Sequence, residues 1–282
     1  MGNVYASDLD LDELPEGERE ETKERSEEVV DYLSHISDLK AKKNSLETDP
    51  DDLSTNDIES QEIDNEIKNL NDEIKELEDG MEENIGVRDV DIDEEELIDE
   101  IGLFNSAPSD VSVSHNFRED VLNGDGRYIA EVSWEWNNSN WNSITGTGEV
   151  GGLDGVAIGL NNDISVYNEN LNLYSSYDGE NVTSGTTVNR ERAGDGYAWT
   201  YQDRVIGTGT GTGQAFNAGS GTAILYIDFP QGMGSSTELY INKTHTWSNA
   251  AVTGVSVSGG IPSFSISNVS NSWSDSVSWI VD

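Results

Sequence analysis

Apolar positions recur every three to four residues over the first third of the chain and every second residue beyond Val111. That change of period, from helix to strand, predicts an α+β chain of two separate modules. The first is a helical hairpin or coiled coil, and the second is an all-β antiparallel sandwich of jelly-roll type.

The helical region carries two heptad segments separated by Asp49-Pro50-Asp51-Asp52. In the first, Val29, Ile36 and Lys43 occupy a positions, with Tyr32, Leu39 and Leu46 at d. In the second, Ile67, Ile74 and Met81 fall at a, with Ile63, Leu70 and Leu77 at d. Asn56 and Glu59 make a cap-like start for the second helix, and Gly80 or Gly86 supplies its stop. The short connection favours an antiparallel fold-back. Flanking charge agrees, because His35, Lys40 and Lys42 border the first seam and Asp64, Glu66 and Glu73 the second. Folding about residue 51 would set Lys40 and Lys42 near Glu62 and Asp64. Ile at a with Leu at d also suits a parallel oligomer, so the seam is at once the candidate hairpin contact and the candidate assembly contact.

The resulting partition is an acidic segment at 1–18, the hairpin at 19–86, a short helix and linker at 87–110, and the sandwich at 111–282. The short helix is expected from Asp93 to Gly102, with Leu97, Ile98 and Ile101 on one face, before Asn105-Ser106-Ala107-Pro108. Asp89-Val90-Asp91-Ile92-Asp93 and Asp8-Leu9-Asp10-Leu11-Asp12 read as solvated acid on extended pieces in preference to divalent-ion sites.

Beyond Val111, Tyr128, Ala130, Val132, Trp134 and Trp136 share one strand face, and Glu131, Ser133 and Glu135 share the other with Ile129. Further strands are expected at Tyr197 to Ile206, Thr222 to Phe229, Thr237 to Trp247, Ala251 to Val257, Ser263 to Val269 and Val277 to Val281. Turns are expected at Asn123-Gly124-Asp125-Gly126, Gly151-Gly152, Asp178-Gly179, Gly232-Met233-Gly234 and Gly259-Gly260.

Charge changes the picture most. The 282 residues carry 56 acids against 15 bases, a formal −41. Up to Asp110 there are 38 acids and 9 bases, and beyond it 18 and 6, so the halves hold −29 and −12. Molar salt shortens the Debye length to about 3 Å and makes such self-repulsion tolerable, which points to a halophile. All seven Trp lie beyond residue 110, in a composition that folds. Phosphate contacts dominate nucleic-acid affinity and this charge opposes them, so nucleic acid is excluded as a partner. There is no cysteine, hence no disulfide and no thiolate chemistry. The first 30 residues lack the pattern of an export signal, and no run approaches a membrane span.

Catalytic motifs are weak. Asn123-Gly124-Asp125-Gly126 fails as a calcium loop, because Val121 and Val132 fall where carboxylates belong. Thr208-Gly209-Thr210-Gly211-Thr212-Gly213 lacks the Lys-Ser/Thr of a phosphate cradle. The three histidines, His35, His115 and His245, have no recognisable partner spacing. Glu131 and Glu135 share a face but stand roughly 13 Å apart at ~3.3 Å per residue, too far for a glycosidase pair. A cross-strand pair such as Glu149 with Asp203 keeps a hydrolase as a further alternative. Trp134 and Trp136 read as core. Trp141, between Asn140 and Asn142 in a polar run, is the candidate surface contact, of the kind that stacks on sugar rings. The four glycosylation sequons, at Asn137, Asn181, Asn242 and Asn268, are what this Asn, Ser and Thr content gives by chance.

These features imply a non-enzymatic structural or attachment protein: a tail fibre, spike or capsid decoration of a virion assembled in the cytoplasm of a halophile. The alternative is a secreted or cell-surface adhesin or carbohydrate-binding module. No cofactor is expected beyond cations at the acidic surface. The expected partners are copies of itself, other structural proteins of a particle, and a cell-surface glycan or glycoprotein. Dilution of the salt should loosen the helices first, because −29 lies on about 110 residues.

Overall fold

The computed structural model describes residues 10–48, 57–90, 92–93, 111–122, 126–136, 148–192, 195–207, 214–234, 237–247, 249–268 and 272–281. Three helices come first: α1 Glu16–Thr48, α2 Asp57–Asp79 and α3 Met81–Ile85. Antiparallel strands follow: β1 Val87–Asp89, β2 Ile92–Asp93, β3 Val111–Asp120, β4 Arg127–Trp136, β5 Gly148–Leu160, β6 Ser165–Tyr174, β7 Val188–Arg192, β8 Gly196–Gly207, β9 Gln214–Phe216, β10 Ser220–Asp228, β11 Thr237–Thr246, β12 Val252–Ser258, β13 Ile261–Ile266 and β14 Ser272–Val281. The chain is therefore α+β, a helical N-terminal part followed by antiparallel sheets.

One sheet has the order β1-β3-β4-β10-β6 and the other β2-β14-β11-β5-β8-β7, with β9 on β8. Their facing sides close over one core. Val132 and Trp134 of β4 and Leu225 of β10 meet Ile158 of β5, Trp199 and Tyr201 of β8 and Ile241 of β11. Trp134 stacks on Tyr201 across the gap, with ring centroids 5.9 Å apart.

The helices are not a free-standing module. Val29, Val30, Leu33 and Ile36 of α1 share a second core with Ile129, Tyr167, Ile224 and Tyr226 on the outward face of the five-stranded sheet. The face of α1 that meets the sheet runs through Thr22, Ser26, Val30, Leu33, Ser37 and Ala41, all buried and spaced three or four apart. α2 packs beside α1 in the opposite direction, since the Tyr32 hydroxyl donates to the Leu77 carbonyl at 2.9 Å and Lys42 pairs with Glu66 at 2.7 Å. Lys40 pairs with Glu78. The expected partners Glu62 and Asp64 are thus replaced: Tyr32–Leu77 and Lys42–Glu66 centre the fold-back about three residues beyond residue 51, and Lys40 reaches along α2 to Glu78. In the seam Val29, Ile36, Leu70, Ile74 and Met81 are buried, while Tyr32, Leu39, Leu46, Ile63, Ile67 and Leu77 are half-buried. Gly86 closes α3 in the left-handed conformation, φ +58°, its N–H bonded to the Glu82 carbonyl.

The linker expected to begin at residue 87 is instead strand at its start. Val87 is buried under the helices, and Val87–Asp89 pairs with the otherwise open edge of β3. Two residues later, β2 pairs with β14 in the other sheet. The short helix expected after Asp93 falls on residues outside those described. Gly151-Gly152 is not a turn either. It lies inside β5, where the pairing with β8 slips between Glu149 and Leu153, and Gly151 takes φ +56° as a bulge requires.

A hairpin of β12 and β13, turned at Gly259-Gly260 with both φ positive, lies on the outer face of the seven-stranded sheet. Glycines in the sheet make this close approach possible. A Cβ at Gly155 would stand 2.6 Å from the Phe264 ring, and one at Gly159 would stand 2.0 Å from the Gly260 carbonyl oxygen. Gly159→Ala is expected to lift the hairpin at a cost of about 1–3 kcal/mol. Protease cleavage within 252–266 should accelerate while the rest of the chain resists; an unchanged cleavage rate refutes the packing role.

Candidate functional site

The outward face of the five-stranded sheet changes character along its strands. On β4 it runs from Ile129 to Glu131, Ser133 and Glu135, and on β10 from Tyr226 and Ile224 back to Thr222 and Ser220. α1, which crosses this face, changes in step from Val29, Val30, Leu33 and Ile36 to Ser37, Lys40, Ala41 and Asn44. Apolar meets apolar and the surfaces close. Polar meets polar, and a groove of about 160 Å³ remains between helix and sheet.

Its floor carries the hydroxyls of Ser112, Ser114, Ser133, Ser220 and Thr222, and its walls carry Glu131, Glu135, Asn44 and Lys40. Ser133 and Thr222 bond each other at 2.9 Å. Glu135 accepts from the Asn44 amide at 2.8 Å, and burial together with Glu47 raises its pKa. Glu131 is buried against the Arg118 guanidinium, which also reaches Asp89 at 2.9 Å. Lys40 is turned to Glu78. Two of the charges are therefore matched within the protein. Tyr174, 2% exposed, lines the same space, its hydroxyl set beside Asp38 and Ser37, and burial raises its pKa.

A second polar set is closed inside the sandwich. Lys243 and His245 continue the inward face of β11 beyond Leu239 and Ile241, opposite Asp154 of β5 and Asp203 of β8. All four are at most 2% exposed. The Lys243 ammonium lies 5.4 Å from the Trp134 ring and 5.2 Å from the Tyr201 ring and donates to the Thr244 carbonyl. Burial lowers its pKa against the pull of Asp154 and Asp203. Asp154 bonds His245 Nδ1 at 2.7 Å and accepts from the Thr246 N–H at 2.8 Å. Asp203 accepts from the Arg204 and Ala218 N–H groups, yet burial and the neighbouring Asp154 push its pKa up to about 7. Val150, Val205 and Phe216 form a small apolar cluster further along the same strands, so this layer sits within the interior.

The sequence-read site falls differently. Asn140, Trp141 and Asn142 lie outside the described residues; the chain leaves β4 at Trp136, whose ring meets His245 edge-on at 5.1 Å, and re-enters at Gly148. Thr208 to Gly213 also lies outside them. Trp134 and Trp136 are buried. Glu149 is exposed whereas Asp203 is buried, so that carboxylate pair shares no cleft. His115 is held down to a pKa of about 4 by burial. The His245–Asp154 pair escaped the sequence reading because 91 residues separate them. The groove escaped it because serines on a strand read as ordinary solvent-facing positions.

No family model and no curated protein matches the chain. Among solved structures it is similar to AvmM, which catalyzes macrocyclization in alchivemycin A biosynthesis, at 11% identity over 62% of this chain and 90% of that one. The TM-score is 0.23, a likeness too slight to carry an argument about either fold or activity.

Proposed function

We propose that this chain is a non-enzymatic structural and attachment protein of a halophile, a virion component such as a tail fibre, spike or capsid decoration. The observation that carries the reading is the groove: hydroxyls, amides and carboxylates held at fixed spacing between a helix and a rigid sheet make a recognition surface. The −41 charge supports a molar-salt setting for it. We read the paired sheets as a jelly-roll-type sandwich, since the connections from β4 to β11 pass back and forth between the sheets. We read α1 and α2 as a short antiparallel coiled coil. Much of the apolar seam is spent within the chain, so assembly with itself or with other particle proteins would use other surfaces. Trp141 remains a proposed contact in the stretch between β4 and β5.

The test uses the full chain, because removing residues before Val111 would strip the cover from Ile129, Ile224 and Tyr226. In molar salt, the fluorescently labelled protein is expected to bind halophile cells and to show a defined oligomer mass by light scattering. Binding by a monomer would move the reading to a free adhesin. Failure both to bind and to assemble would overturn the attachment role.

A further inference from the structure

We infer that the groove beneath the second half of α1 binds one uncharged, hydroxyl-rich ring, the size of a single sugar unit of a surface glycan. The inference rests on the attachment reading and moves its ligand contact from Trp141 to the groove. Size comes first. At about 160 Å³ the space would hold roughly five waters at ~30 Å³ each, and it falls below the ~300 Å³ at which drug-sized ligands begin. One ring fits, with neighbouring units running out along the open side.

Chemistry then narrows the class. A vicinal diol asks for a donor and an acceptor side by side, and the floor offers hydroxyls, which serve as either, beside the acceptors Glu131 and Glu135 and the amide of Asn44. Anionic ligands are opposed by Glu135, while the nearby cations are engaged elsewhere, Arg118 with Glu131 and Lys40 with Glu78. Apolar ligands are opposed by the same lining, since they would displace water from its polar groups and offer no hydrogen bond in return.

Tyr174 adds a buried phenol to the groove wall, set beside Asp38 and Ser37, and Ser37 lines the groove with it. The sequence already holds the pattern that builds the site: four serines and a threonine on the outward positions of β3, β4 and β10 where the helix above turns from apolar to polar.

The experiment is a saturation-transfer NMR titration of the full chain at molar salt with free glucose, mannose, galactose and N-acetylglucosamine, and with glucuronic acid and glucosamine as charged counterparts. At least one neutral sugar should bind better than its charged counterpart. Tyr174→Phe, which keeps the ring, should weaken that sugar roughly tenfold. Ser114→Trp, at an exposed strand position that tolerates an aromatic, should abolish binding by filling the groove. Sugar binding that survives both changes overturns the site but leaves the attachment reading intact. Binding of the charged sugars only, or of none, overturns the ligand class. A full chain that binds cells by a contact indifferent to Ser114→Trp separates the two in the same way.

Discussion

Asp120→Ala is expected to destabilise the chain by about 3–5 kcal/mol, the cost of leaving a buried charge without its partner. The Asp120 side chain is fully buried and takes Arg25 Nε at 2.8 Å, Arg25 Nη2 at 2.9 Å and the Tyr226 hydroxyl at 2.5 Å. Arg25 comes from α1, Asp120 from the end of β3 and Tyr226 from β10, and the same guanidinium reaches the Ile85 carbonyl at the close of α3. One ion pair thus fastens helices to sheet. A buried pair is little screened, so the loss should persist in molar salt. Lys42→Ala, which breaks the half-exposed pair with Glu66, should cost less than about 1 kcal/mol there. Urea unfolding followed by far-ultraviolet circular dichroism and Trp fluorescence reads both. The helical signal of Asp120→Ala should fall at lower urea than the fluorescence, and Arg25→Met with Asp120→Leu should recover most of the midpoint. An Asp120→Ala protein as stable as the parent refutes the fastening.

Asp203→Asn is expected to stabilise the protein above pH 7 and to remove a slope from its pH dependence. Burial lifts the Asp203 carboxyl from 3.8 to about 7. Between those values the folded chain holds a proton that the unfolded chain has released, so stability falls as pH rises through the window and stays reduced above it. A rise of that size corresponds to ~4 kcal/mol as an order of magnitude. The asparagine oxygen can still accept from the Arg204 and Ala218 N–H groups, and what is lost is the pull of the ionised carboxylate on Lys243. Lys243 acts with opposite sign: its pKa is lowered from 10.5, and between the lowered value and 10.5 stability rises with pH. The exposed carboxylates titrate alike in both proteins and cancel in the comparison. Urea midpoints from pH 4 to 9 should converge at the acid end and separate by pH 7; parallel curves would mean that Asp203 is not the group responsible.

The helices and the aromatic β4 were legible in the sequence because each keeps one period throughout. β5 and β6 were not, because each is broken by a bulge. In β6 the pairing skips Tyr167, so Val166 and then Leu171 and Leu173 face the core from positions of opposite parity. In β5 the glycines that read as a turn, Gly151 and Gly152, are the bulge itself, and two further glycines, Gly155 and Gly159, make the bed for a hairpin laid on the sheet. The sheet-facing stripe of α1 was hidden because Thr22, Ser26 and Ser37 sit where a core-facing helix ordinarily carries apolar residues. The groove and the charged layer depend on strands far apart in the chain, and no local spacing announces such neighbours.

The second core joins α1, complete by Thr48, to β10, which ends only at Asp228. A nascent chain growing at about 5–20 residues per second would therefore carry Val30 and Leu33 uncovered for roughly 10–40 s before their sheet exists. β2, which pairs with β14, waits longer still, until the last strand is made. Over that interval the density of acid along α1 and α2 has a second use, since like charges keep unfinished chains apart while their apolar stripe has nowhere to go.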